Sequence, residues 1–307
     1  MSFTDLAKGS HSFISSWPQG FLKKRQKFHE TPQLSDVRYN PNSLVASLAQ
    51  LRGEMKVRPG IELAMLSDVG CQRENNEDRS SYWEPDDDQQ FQRKGRLGVV
   101  ADGMGGYEGG QEASRIAVEA ITAVYADAPN GEPRSWLLQA FEAAHLRIQQ
   151  EADKNPVLHG MGTTCTAVVV LGDSLYYAHV GDSRLYLVRN SLIQRLTHDH
   201  SYVSRLVENG VIRAEEAEAH PQRHILTAAL GAGHSITPEC PETPFTLETA
   251  DVLVLCTDGL WSQVQEQEIF QLATQHDPQN ACFQLVNLAK ERGGPDNITV
   301  QILRIAK

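Results

Sequence analysis

No stretch of this chain approaches the roughly 20 apolar residues that a membrane span requires. Its purely apolar runs, such as Ala167 to Leu171 and Val252 to Cys256, are strand-length. The N-terminus lacks the basic-then-apolar order of a secretory signal. Cysteine is scarce and unpatterned. Cys71, Cys165, Cys240, Cys256 and Cys282 are odd in number and include no CxxC pair. Zinc-finger and disulfide frameworks are thereby set aside, and reduced thiols in a cytoplasmic protein are expected. No internal repeat is present.

Basic charge is scarce over most of the chain. Residues 1–60 carry a balance of +5, against −16 for the remainder of the 307 residues. An acidic body disfavours nonspecific nucleic-acid binding. It suits a protein that gathers divalent cations, although ordinary solubility charge accounts for much of it. With 40% hydrophobic residues, a sizeable core is available.

Residues 1–59 lack a sustained period and are interrupted by Pro18, Gly20, Pro32 and Pro41. They are expected to be an N-terminal extension, partly disordered, with one short helix capped by Ser43. From residue 60 to 307 the pattern tightens. Ile61–Leu66, Arg79–Trp83 and Leu97–Ala101 are strand candidates, with a hairpin loop expected over Glu84–Gln92. Ala113, Ile116, Ala117, Ala120, Ile121 and Val124 recur at helical spacing, as do Leu137, Phe141, Ala144 and Ile148. A meander follows: 164–171, 175–180, 184–188 and 192–196, joined by turn dipeptides. Residues 199–223 turn polar and helical. Strands are expected at 224–229 and 251–257, helices at 264–275 and 279–291, and a last strand at 298–305. Helices come in consecutive pairs instead of following each strand. That pattern excludes a doubly wound fold and predicts an α+β fold with mainly antiparallel sheets covered by helix pairs.

The informative feature is a repeated strand end. Val99-Val100-Ala101-Asp102-Gly103, His179-Val180-Gly181-Asp182-Ser183 and Leu255-Cys256-Thr257-Asp258-Gly259 each run out into an aspartate between small residues. Asp296 precedes the final strand. Each alone reads as a turn. Together, four carboxylates would resist ionisation unless a divalent cation sat among them, and oxygen donors suit Mg²⁺ or Mn²⁺. A second cluster, Arg73-Glu74-Asn75-Asn76-Glu77-Asp78, offers a guanidinium able to fork onto phosphate oxygens. Glu77 and Asp78 could hold waters around the ions; a solvated loop is the plainer alternative.

These segments resemble the type 2C protein phosphatases, the metal-dependent protein phosphatase family. The matching stretches run in the family's order: Arg73-x-x-Asn76-Glu77-Asp78, Ala101-Asp102-Gly103-Met104-Gly105-Gly106, Gly162-Thr163-Thr164, Gly181-Asp182-Ser183-Arg184, Thr197-x-Asp199-His200-Ser201, Leu226-Thr227-x-Ala229-Leu230-Gly231, Thr257-Asp258-Gly259-Leu260 and Gly293-Gly294-x-Asp296-Asn297-Ile298-Thr299. Met104 resembles the bacterial branch. The resemblance implies a central antiparallel β-sandwich flanked by helix pairs, α-β-β-α, with a small flap subdomain at about 199–223. It implies two core Mn²⁺ or Mg²⁺ ions. Asp102 would bridge them, the Gly103 carbonyl would bind one, and Asp258 and Asp296 would complete the other. Asp182 would help hold a third, weaker ion. Arg73 would bind phosphate, and Asn297 would stand with Glu77 and Asp78 in the surrounding layer. The implied activity is hydrolysis of phosphoserine and phosphothreonine by a metal-activated water, without a covalent intermediate. The implied partners are phosphoproteins, among them a cognate serine/threonine kinase, with the enzyme a monomer. Three departures stand out. Met104 and Tyr107 occupy positions where relatives carry histidine, which leaves the general acid unassigned. Ser262 replaces an aspartate found in many members. The rival readings are a catalytically weak phosphoprotein-binding module and a small-molecule phosphatase.

Overall fold

In a computed structural model, the chain is described over residues 57–105, 108–129, 131–217 and 219–306. The short helix expected after Ser43 lies outside the described residues.

Two antiparallel sheets stack face to face. The first contains β1 (Ile61–Asp68), β7 (Arg184–Arg189), β8 (Leu192–Arg195), β10 (Val252–Cys256) and β11 (Ile298–Ile305), in the order β1-β11-β10-β7-β8. The second contains β2 (Asp78–Trp83), β3 (Arg96–Met104), β5 (Cys165–Leu171), β6 (Ser174–Val180) and β9 (Phe245–Thr246), in that order, with β4 (Gly162–Thr163) paired to the end of β3.

Side-chain alternation builds three apolar layers from these strands. Val100, Val168, Val170, Leu185, Leu253, Leu255 and Leu303 fill the space between the sheets. Their neighbours point outward. Val99, Ala101 and Val169 meet the helix pair α2 (Gly109–Asp127) and α3 (Pro133–Lys154). Val254, Cys256, Val300 and Ile302 meet α7 (Glu266–Gln275) and α8 (Pro278–Glu291). Both faces of each central strand are thus buried, which is why β5 and β10 read as continuous apolar runs and not as alternating ones. Truncating one such residue, for example Leu255→Ala, costs about 2–5 kcal/mol. The expected helix-covered sandwich is the observed architecture.

Two local expectations fail. Glu84–Gln92 is not a plain hairpin loop, because α1 (Asp88–Lys94) begins within it. Asp87 caps that helix by accepting from the Gln90 amide at 2.8 Å, and Asp88 and Arg93/Lys94 match the helix dipole at its two ends. Residues 224–229 do not form a strand. Their backbone makes only isolated bridges, Ser201 to Leu226 and, just beyond, Thr163 to Leu230. Single bonds from Tyr202 N to Ile225 O and from Thr227 N to His200 O satisfy this segment without a ladder. Between β8 and that segment lie the short helices α4 (Tyr202–Glu208) and α5 (Ala214–Ala217), both within the expected flap.

Candidate metal and phosphate site

The sandwich ends place the aspartates together. Val100 points between the sheets, so two residues on Asp102 points the same way, at the rim. Its backbone is fixed from both sides. The Asp102 amide donates to Thr164 Oγ1 at 3.0 Å, and its carbonyl accepts from Thr164 N and Thr163 Oγ1, both at 2.8 Å. Asp78 is its register partner on β2. From the other sheet, Asp258 opens the one-turn helix α6 (Asp258–Trp261) directly after β10, and Asp296 precedes β11.

Two glycines explain how closely these ends approach. A Cβ on Gly103 would lie 1.9 Å from the Gly110 carbonyl oxygen, and one on Gly259 would lie 1.9 Å from that of Asn297. Any side chain would drive β3 from α2, or α6 from the Asp296-Asn297 turn.

The electrostatics of the cluster are those of carboxylates short of countercharge. Burial, then the charges of Asp78 and Asp258 and more weakly of Asp182 and Asp296, pushes Asp102 well above the ordinary carboxylate range. Burial pushes Asp78 to about 7, and its hydrogen bonds from Thr299 and Thr257 pull the other way. Burial and then Asp296 raise Asp258 to about 6. Burial and then Asp258 raise Asp182. Asp78 Oδ1 and Asp258 Oδ1 are buried without a hydrogen-bond partner. Orphaned carboxylate oxygens, mutual repulsion and an all-oxygen donor set fit a hard divalent cation.

The other expected residues surround this cluster. Arg73 is half-exposed, with Nη2 2.6 Å from Asp296 Oδ2. Glu77 is half-buried, and burial raises its pKa despite the charge of Arg73. Asp78 is nearly inaccessible, and its Oδ2 accepts from Thr257 Oγ1 at 2.8 Å. Asn297 spends its amide on the backbone. Its Oδ1 accepts from Glu77 N at 2.8 Å, and its Nδ2 donates to Val69 O and Asn75 O. It therefore ties the Arg73–Asp78 loop to the start of β11. Asp182 is 6% exposed, and its carbonyl accepts from Trp261 Nε1 at 2.9 Å.

Sequence reasoning missed that last contact and its neighbours. Arg184 lies 3.6 Å over the Trp261 ring and forks onto Asp199 at 3.1 and 2.7 Å. The signal lies in Asp182-Ser183-Arg184 and Asp258-Gly259-Leu260-Trp261, where Arg184 and Trp261 follow the two aspartates. His224 was also passed over. Burial lowers its pKa, and the Asp296 carboxylate works against that. His198 and His200 face Glu239 and Gly181 instead. Tyr107 lies outside the described residues. Ser262 caps α6, its amide donating to Asp258 O at 2.9 Å.

A family model described as protein phosphatase 2C matches residues 73–290. Protein phosphatase PhpP of Streptococcus pneumoniae is 35% identical over 248 residues, covering 79% of this chain and 97% of that protein. Serine/threonine protein phosphatase PstP of Mycobacterium tuberculosis is 36% identical over 242 residues, covering 79% of this chain and 44% of that longer protein. A crystal structure of the Mycobacterium tuberculosis phosphatase superposes with a TM-score of 0.72 at 34% identity, over 81% of this chain and all of the other. A structure of the PstP catalytic domain in complex with two manganese ions gives 0.69 at 33% identity, over 81% and 99%.

Proposed function

This chain belongs to the protein phosphatase 2C family, and from that premise we propose that it is a metal-dependent phosphatase acting on phosphoserine and phosphothreonine in proteins. The observation that carries this reading is the convergence of Asp102, Asp258 and Asp296 at the rim of the sandwich, where Asp102, Asp258 and neighbouring Asp78 are raised in pKa and short of countercharge.

Asp102, Asp258, Asp296 and the Gly103 carbonyl would hold two Mn²⁺ or Mg²⁺ ions, with Asp182 contributing to a third, weaker one. When bound, such ions polarise phosphoryl oxygens and acidify water. The chain's own residues do the positioning. Thr163, Thr164, Gly103 and Gly259 fix the backbones that carry the aspartates, so the carboxylates need little reorganisation on binding a cation. Arg73 is held beside the aspartates by one bond to Asp296, and its planar fork has further N–H groups to direct at two oxygens of a phosphate. Asp78, below the rim, holds Thr257 and keeps the start of α6 in register.

A phosphoenzyme has no evident carrier among the buried thiols. Burial raises the pKa of Cys165, Cys256 and Cys282, so they stay protonated. Direct attack by water is the mechanism proposed. No helix among the described residues is long and apolar enough to cross a membrane. A monomer acting in the cytoplasm opposite a serine/threonine kinase completes the reading.

The test is phosphate release from a phosphothreonine peptide by the full-length protein. Release should require Mn²⁺ or Mg²⁺, stop with a chelator, and be absent in Asp102→Asn. Metal-independent turnover would overturn the proposal.

A further inference from the structure

We propose that His179, His200 and Glu239 form a second metal site, for a borderline ion such as Zn²⁺, separate from the aspartate cluster and its hard cations. One ring nitrogen of each histidine and one Glu239 oxygen lie within 4.8 Å of one another. Around zinc, with bonds of about 2.0–2.1 Å, tetrahedral ligand atoms sit about 3.3 Å apart. A closure of at most about 1.5 Å is therefore needed. His179 is fixed in β6, whereas His200 and Glu239 lie outside the ladder strands, and the closure would fall to their side chains.

Three parts of the chain are brought together here by backbone bonds. Glu239 bridges the free edge of β6, with His179 N to Glu239 O and Glu239 N to His179 O both at 2.9 Å. His200, at the base of the flap, donates its amide to Gly181 O at 2.6 Å. His179 and Glu239 also have supporting contacts of the kind that orient metal ligands, whereas His200 Nδ1 accepts from Gly181 N at 3.3 Å, a bond that an ion on that nitrogen would replace. Thr166 Oγ1 lies 2.9 Å from His179 Nδ1. Tyr177 Oη and His198 N donate to the Glu239 carboxylate at 3.0 and 2.9 Å.

His179 Nε2 lies 3.0 Å from Gly181 O. Its withdrawal to an ion would not orphan that carbonyl, because the His200 amide still donates to it. The ring proton would move to Nδ1 and be donated to Thr166 Oγ1. The Thr166 hydroxyl would in turn donate to Ser183 O, 3.2 Å away. His198 stands at the mouth, largely exposed, with Nδ1 2.9 Å from Glu239 Oε1, and can supply a fourth ligand. Burial holds both His179 and His200 below the ordinary imidazole range, so they are neutral, the form a metal requires. Two nitrogens and a carboxylate favour zinc, cobalt, nickel or copper over magnesium. Because both histidines contact the peptide of Gly181, next to Asp182, an ion here would tie the flap base to that strand end.

The test uses the full-length protein in saturating Mg²⁺, which is spectroscopically silent and fills oxygen-donor sites. Co²⁺ is then titrated and its visible absorption followed. One equivalent should develop the intense bands of a tetrahedral nitrogen–oxygen site, and Zn²⁺ should displace it. His200→Ala and Glu239→Gln should each weaken Co²⁺ binding at least about 10-fold. Asp258→Asn should leave the bands unchanged. Metal-free melting curves will show that the variants remain folded; Glu239→Gln keeps the shape of the side chain and His200 is partly exposed. Weak octahedral-type absorption only, bands indifferent to both substitutions, or bands lost in Asp258→Asn would each overturn the site. The first two would leave the cluster a hydrogen-bond network, and the third would place the cobalt among the aspartates.

Discussion

Buried carboxylates occur in two settings in this molecule, and they are treated in opposite ways. In the frame, each meets an arginine. Asp251, 2% exposed, accepts from Arg189 at 2.9 and 2.6 Å. Asp199 accepts from Arg184 at 3.1 and 2.7 Å. Glu84 is paired with Arg96 at 3.3 Å. At the rim of the sandwich, Asp78, Asp102 and Asp258 receive no such fork, and Arg73 reaches only Asp296. The same fold that neutralises its structural carboxylates leaves these facing one another. Uncompensated buried charge is expensive, and its concentration at one place marks a site whose countercharge comes from outside the chain.

The largest effect should come from removing one rim carboxylate. Asp102→Asn should lower turnover by at least about 10³-fold, which is about 4 kcal/mol of transition-state stabilisation. The same substitution should raise the melting temperature of the metal-free protein, because it relieves repulsion. Activity near wild type, or a lower metal-free melting temperature, would place Asp102 with the frame carboxylates.

The converse holds in the frame. Asp251→Ala removes the buried half of the fork, leaving Arg189 with Glu248 and the Thr246 carbonyl, and should destabilise by about 2–3 kcal/mol. Denaturant unfolding measures this. Turnover per folded molecule should not change, since Asp251 lies at the opposite end of β10 from Asp258. A specific loss of turnover would blur the distinction between the two settings.

The contrast should also appear in the pH dependence of stability. Asp78, raised to about 7, and Asp258, raised to about 6, keep their protons in the folded state after the unfolded chain has released them near pH 4. Between about pH 4 and 7 the folded state therefore binds more protons, and stability falls as pH rises. Metal-free protein should melt at a higher temperature at pH 5 than at pH 7.5. Mn²⁺ competes with protons for the same oxygens, so its stabilisation should be larger at pH 7.5. A metal-free melting temperature that climbs across this range would show that the rim carboxylates are compensated after all.

These two settings were unequally legible in the sequence. The rim was readable because Asp102, Asp182 and Asp258 each end an apolar run, and a strand end is a local signal. The helix-covered sandwich was readable because 113–124 and 137–148 carry an unbroken helical period, whereas β5 and β10 carry continuous apolar runs. The arginine forks were not readable. Arg189 and Asp251 are 62 residues apart, and Arg184 and Asp199 are 15 apart. Register alone brings them together. Helix α1 was missed for a different reason. Its apolar content is a single Phe91, so no period announces it, and its signals are the Asp87 cap and the terminal charges. The bridges at 224–230 were misread because Ile225 and Leu226 look like the start of a strand, whereas their partners are single residues of the flap base and β4.

The smallest effect tests where the frame begins. Composition alone put the boundary at 59/60, but Arg58 is bound into the same network as Glu84. Its amide donates to Glu84 Oε1 at 2.7 Å, its Nε donates to Pro85 O at 3.0 Å, and its guanidinium lies 4.8 Å from the Phe91 ring centroid. Arg96 stands 4.7 Å from that ring and donates to the Pro59 carbonyl at 2.6 Å. Two arginines thus hold α1 and one buried glutamate. A chain starting at Val57 keeps all of this, whereas one starting at Gly60 loses the Arg58 half. The shorter chain should be less stable by about 1.5 kcal/mol, the low-end scale of three partly exposed hydrogen bonds, two from Arg58 and one from Arg96 to Pro59, with a cation–π contact. Both chains should hydrolyse an aryl phosphate at the same rate, because no rim aspartate is touched. Equal stabilities would return the boundary to 59/60. A rate difference on the small substrate would mean that residues before Gly60 reach the aspartate site. A difference confined to a phosphoprotein substrate, between full-length protein and the Val57 chain, would assign recruitment to the N-terminal extension.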